Sequence, residues 1–180
     1  LITARISFSH PEKMEIEEKK EFQTKSYSRK FWLYVIGTMF VGMGFIDFAL
    51  LAYHFQKSGI LSPLWIPLIY ALTMAVDGIS ALGMGKIFDL KGISTLTFVI
   101  AATSIFAPLV LFGGFWTIFV GMMLWGIGLG AQESIMRSSI ALLVSAKKRG
   151  AAYGILYLGF GLSWFFGSMT IGYLYDISLN

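Results

Sequence analysis

The sequence contains no cysteine, so disulfides and thiolate metal sites are excluded. It has two histidines, His10 and His54, too few and too far apart to build a metal cluster. Charge is scarce: Asp, Glu, Lys and Arg make up 13% of the chain, where a soluble domain carries about 25%. There is no Walker-type phosphate loop, and Gly42-x-Gly44 and Gly128-x-Gly130 neither follow a strand nor open a helix, so no nucleotide fingerprint is present. Nothing in the sequence asks for a cofactor.

What fills the space is apolar. Hydrophobic residues make up 56% of the 180 positions, aromatics 16%, and mean hydropathy is +0.72. The runs are long enough to cross a bilayer, and the expected fold is all-α, a polytopic helical membrane protein. The few charges are unevenly spread: five of the ten acids and seven of the fourteen Lys and Arg residues lie in positions 1–30. The net charge of +4 therefore describes a basic membrane flank and implies no nucleic-acid partner. Residues 1–30 read as a solvated polar loop, with Leu1–Ile6 as the possible tail of a preceding membrane helix.

Residues 31–180 divide into five hydrophobic helices, about 31–55, 64–88, 93–112, 115–144 and 150–175. Trp32 and Tyr34 suit one interface of the first helix, Tyr53 and His54 the other. Pro67 falls in the first turn of the second helix, where it is tolerated. The third helix has no ionisable residue and is expected to face lipid. Five crossings place the basic ends, with Lys86, Lys91 and Lys147-Lys148-Arg149, on one side, and Lys57 alone on the other. The positive-inside rule makes the basic side cytoplasmic, in a plasma membrane.

The stretch Gly121–Val144 carries Gln132, Glu133 and Arg137 within a span. A charge at the centre of a spanning helix costs roughly 2.5–3.5 kcal/mol on insertion scales, so such residues face a partner or a wet cavity. Glu133 and Arg137 are four apart and share a helix face, where they can pair. Gln132 points about 100° away from Glu133. Asp47 and Asp77 are the other carboxylates inside spans. A structural ion pair is the plainer reading of Glu133 and Arg137; a substrate or proton pathway through Asp47, Asp77, Gln132, Glu133 and Arg137 is the sharper one. Gly126-x-x-x-Gly130 and the glycines of the last helix read as close-packing surfaces.

The sequence also repeats. Gly42-x-Gly44-x-x-Asp47 matches Gly128-x-Gly130-x-x-Glu133, and Gly85-x-Ile-Phe-Asp89-Leu matches Gly172-x-Leu-Tyr-Asp176-Ile, at offsets of 86 and 87 residues. A three-helix unit repeated once comes back inverted, the arrangement of many secondary transporters. The second unit lacks its third helix, so one more crossing is expected after Asn180.

Gly85-Lys86-Ile87-Phe88-Asp89-Leu90-Lys91-Gly92 resembles the cytoplasmic loop motif of the major facilitator superfamily. Leu90, Ile93 and Ser94 stand where that motif usually has basic residues. Arg149-Gly150 followed by Gly154, Gly159, Gly161, Gly167 and Gly172 is similar to that family's basic turn and glycine-rich eleventh helix. The resemblance implies the central loop and helices seven to eleven of a twelve-helix transporter. It also implies alternating-access movement of a small solute with a proton, no enzymatic activity, and a missing N-terminal half as partner. By the same resemblance Gly85, Asp89, Lys91, Gly92, Arg149 and Gly150 form the loops that steady one end state. A non-transporting receptor or scaffold of similar fold is the alternative; a membrane-embedded enzyme would need a nucleophile or metal set that the sequence does not display.

Overall fold

A computed structural model of the chain describes residues 27–178, and their structure is helical apart from the turns. The polar segment 1–26 lies outside the described residues, as does the reading of Leu1–Ile6. Five stretches are long and apolar enough to cross a membrane: 29–58, 65–91, 94–111, 115–143 and 146–177. This is the expected number, and it makes the protein membrane-embedded.

Two of the five spans are broken near their middle. The first is divided into α1 (Arg29–Met43) and α2 (Phe48–Ser58). Helix α1 starts two residues earlier than expected because the Ser28 hydroxyl accepts the Phe31 N–H at 3.2 Å, a side-chain N-cap. It ends at Gly44, where glycine at positions 42 and 44 lowers helix propensity and Asp47, a residue type favoured at N-caps, opens α2. Asp47 is therefore not inside a helix but at the N-cap of one, in an unwound stretch halfway through the span.

The second span is the unbroken α3 (Trp65–Lys91), with Pro67 in its first turn. It runs three residues past the expected end, so Asp89 and Lys91 belong to its last turn rather than to a loop. The turn is made by Gly92, whose φ of +69° and ψ of −156° suit a residue without a Cβ.

The third span is α4 (Ser94–Thr103) and α5 (Phe106–Leu111). Its break at Ser104–Ile105 has a plain cause. Pro108 has no N–H for the Ser104 carbonyl four residues back, and its ring crowds that carbonyl. The span is also less lipid-facing than expected: Thr95, Leu96, Val99, Thr103, Phe106 and Val110 are buried, while Phe98 and Phe112 point outward. The fourth span is α6 (Phe115–Leu143), and a 3-10 turn at Ala146–Lys148 leads into the fifth, α7 (Arg149–Ser178).

Helix α6 organises the bundle. It packs along α3 and carries α4 and α5 on another face, while α1 pairs with α7. Its side chains enter all three hydrophobic clusters. Ile118, Met122 and Trp125 join Leu51, Phe55, Ile69 and Val110; Met136 and Ile140 join Phe31, Val35 and Leu156; Ala131 and Ile135 join Phe88, Leu96 and Val99. The α3–α6 contact is close because glycine permits it. A Cβ on Gly126 would lie 2.6 Å from the Thr73 carbonyl oxygen, and one on Gly130 would collide with the Asp77 carbonyl and the Ala81 nitrogen.

The glycines of α7 divide. Gly159 packs on Met39, and Gly167 sits directly on the backbone of Met43, whereas Gly154, Gly161 and Gly172 have open space around them. Only part of the expected glycine surface is thus a packing surface within this chain.

Gly130→Ala is expected to lower stability by about 1–3 kcal/mol, the usual cost of overpacking. Gly154→Ala should be neutral or stabilising by up to about 1 kcal/mol through helix propensity. Thermal unfolding of the two variants in the same detergent, followed by far-ultraviolet circular dichroism, measures the contrast.

Candidate functional site

Two groups of polar side chains within the spans lie on different sides of α6. The first runs along the α3–α6 seam. Glu133 and Arg137 are bridged at 3.2 Å, and the Arg137 Nε also donates to the Glu133 carbonyl at 3.1 Å. Both side chains are 59% exposed, so no other described helix covers them. The Tyr153 hydroxyl donates to the Arg137 carbonyl at 3.0 Å, tying the start of α7 to this face.

Asp77 is half-buried on α3. Its backbone abuts Gly130, one helical turn before Glu133 on the same face of α6, and a Cβ on Gly130 would lie 3.0 Å from Asp77 Oδ1. That oxygen is buried and has no hydrogen-bond partner among the described residues. One turn further along α3, Ser80 donates to the Ile127 carbonyl at 3.0 Å. The seam thus holds a satisfied charge pair next to an unsatisfied carboxylate.

The second group lies around the two helix breaks. A pocket of about 330 Å³ is lined by Phe40, Val41, Gly44 and Phe45 from the first span, by Ile100, Thr103, Ser104 and Phe106 from the third, and by Gln132 from α6. Gln132 is only 5% exposed. It is thus buried on one side of α6 while Glu133 is displayed on another, as the 100° step between neighbours demands. Trp125 helps hold the first break. Its indole N–H donates to the Ile46 carbonyl at 3.2 Å, and its ring stacks on Phe45 at 5.9 Å. Trp125 is therefore a brace for the unwound backbone rather than a lining side chain.

Asp47 belongs to neither group. It makes no side-chain cap, and no hydrogen bond or ion pair joins it to Asp77, Glu133 or Arg137. Of the loop-motif residues, Gly85 lets α3 approach Ser134, with its would-be Cβ 3.2 Å from the hydroxyl, and Asp89 is exposed. Arg149 donates to the carbonyls of Ala141 at 2.9 Å and Val144 at 3.5 Å. It thereby caps the C-terminus of α6, where a cation is favourable against the helix dipole. Gly150 has nothing near it.

His54 is more buried than an interfacial residue, at 7% exposure. Its Nδ1 lies 2.7 Å from the Tyr175 hydroxyl, and Lys57 sits 5.7 Å from the ring centres of both Tyr53 and Tyr175. This clasp joins the end of the first span to the end of the last. No local pattern signals this pairing, because the partners are 121 residues apart.

The chain is 38% identical over 152 residues to an uncharacterized protein of Mycobacterium bovis and to uncharacterized proteins of two strains of Mycobacterium tuberculosis. The match takes in 84% of this chain and spans 37% of the length of each of these curated relatives. No family model matches, and no solved structure matches.

Replacing Trp125 by Phe keeps the ring and removes the donor to Ile46. The expected cost is about 0.5–1.5 kcal/mol for one hydrogen bond, more if the carbonyl is left dry. Hydrogen exchange should rise at residues 44–48 and stay unchanged in the middle of α3, which mass spectrometry of peptic fragments can resolve.

Proposed function

We propose that these five spans are part of a secondary transporter of the major facilitator type, which moves a small solute by alternating access and couples it to a proton. The observation that carries the reading is the exposed Glu133–Arg137 pair beside the unpartnered Asp77, all within spanning helices. Hydrocarbon is a costly surrounding for such a face, and a water-filled pathway or a facing polar wall is a favourable one.

The packing adds support. With the repeat offsets of 86 and 87, the pairing of the first span with the fifth converts into the pairing of the fourth with the second, and both pairings are present. The points of closest approach convert as well. Met43 against Gly167 carries over to Leu129 against Ser80, and the observed crossing is at Gly130 against Asp77 and Ala81, with the Ser80 bond to Ile127 beside it. An inverted three-helix repeat accounts for that correspondence. The second and fifth spans are also the least covered, with Ile79, Leu82, Leu158 and Phe165 exposed, and a second half of the transporter would pack there.

In this mechanism Glu133 is held by Arg137, and Asp77 is the carboxylate placed to take up and release a proton. Solute or water entering the seam, or a rocking motion that changes its width, alters how well each charge is compensated. The basic ends face the cytoplasm of a plasma membrane, and the helix ends around Asp89 and Arg149 meet the other half.

The test is solute flux driven by a pH gradient in proteoliposomes containing the whole polypeptide. Asp77→Asn should reduce flux at least tenfold. The double variant Glu133→Gln/Arg137→Gln, which removes the pair without stranding a charge, should insert and fold yet remain equally inactive. Full flux in the double variant would make the pair structural; ligand binding without any flux would favour a receptor of the same fold.

A further inference from the structure

The pocket between the two helix breaks is distinct from the charged seam, and its chemistry is different. Three features define it. It lies where the first and third spans both lose their helical backbone, at Gly44–Asp47 and at Ser104–Ile105, each near the middle of its span. No ionisable side chain lines it. Its wall is apolar except for the two hydroxyls of span three and one amide, that of Gln132.

The hydroxyls are engaged as donors within their own helix: Thr103 donates to the Val99 carbonyl at 2.8 Å and Ser104 to the Ala101 carbonyl at 2.7 Å. The Gln132 amide is different. The residue is 95% buried, yet no hydrogen bond ties its side chain to another described residue. Its polar atoms are not among the fully enclosed ones that lack a partner, so the amide opens on the pocket with its hydrogen-bonding capacity unspent. The side chain lines a cavity with room to bring it a partner.

We propose that this pocket is a binding site for an uncharged, membrane-soluble amphiphile, with an apolar body and a single hydroxyl or carbonyl group that bonds to Gln132. Charge is excluded by the lining, which offers no counter-ion at a depth where an unpaired ion is costly. Volume sets the scale of the part that is held, since the pocket is open on one side. An apolar cavity of about 150 Å³ holds benzene, so one of 330 Å³ takes a ligand roughly twice as large, such as a medium-chain alcohol. Phe45 and Phe106, with ring centres 6.1 Å apart, provide the surface for its apolar part.

Photolabelling of the membrane-reconstituted protein tests the assignment, with a ten-carbon alcohol carrying a diazirine as probe. Label should concentrate on peptides containing Phe40–Phe45 and Ile100–Phe106, saturate, and be displaced by excess 1-decanol but not by decanoate. Gln132→Leu should weaken alcohol labelling about tenfold and leave labelling by the matching diazirine alkane unchanged. Ile100→Trp, which fills the space from α4, should abolish both while helix content and the thermal midpoint stay as in the parent protein. Unsaturable label spread over outward residues such as Phe98 and Leu158 would mean that the probe behaves as lipid solvent only, and would overturn the proposal. So would equal displacement by decanoate, an unchanged affinity in Gln132→Leu, or an unlabelled pocket because another segment of the polypeptide occupies it. Loss of pH-driven flux on Asp77→Asn with this labelling intact separates the pocket from the transport seam.

Discussion

Two backbones pass within contact distance of each other because positions 126 and 130 carry no side chain. At that crossing α6 lies on Thr73, Asp77 and Ala81 of α3, and the remaining helices take their places around the pair. In a bilayer the hydrophobic effect does not drive helices together, since lipid is as apolar as leucine; close van der Waals contact and interhelical hydrogen bonds do so instead. The crossing supplies both, with glycine against backbone and Ser80 bonded to Ile127. It also fixes where Asp77 stands, next to the turn of α6 that presents Glu133 and Arg137.

From that one contact α6 acquires two polar faces with opposite characters. On one, a guanidinium and a carboxylate compensate each other in the open. On the other, an amide opens on a pocket lined by Phe, Ile and Thr. Adjacent residues in a helix cannot look the same way, so the Gln132-Glu133 dipeptide is read in two different environments.

Much of this was legible in advance. The length of the apolar runs gave the five spans, because bilayer thickness sets helix length independently of tertiary detail. The spacing of Glu133 and Arg137 gave their pairing, and Gly126-x-x-x-Gly130 gave the close crossing. The breaks were not foreseen. Pro108 lies near the end of its span, yet it acts four residues upstream, on Ser104. Apolar continuity places Asp47 inside a helix, whereas Gly42, Gly44 and an N-cap residue together end one helix and begin another. Hydropathy does not register such a break, since Phe45 and Ile46 are as apolar as their helical neighbours. The Gln132 pocket and the His54–Tyr175 clasp depend on which distant elements meet, and no local pattern carries that information.

The hydrophobic clusters divide by depth. Helices α2 and α5 share one cluster with the first halves of α3 and α6, while α1 and α4 belong to two others at the opposite end. Both interruptions fall on the boundary between these layers. In a bilayer each half-thickness of the bundle would therefore have its own core, and among the described helices only α3, α6 and α7 run through both layers as continuous beams. A change in lateral pressure confined to one leaflet would tilt the short rods of that layer against the three beams and leave the packing of the other layer undisturbed.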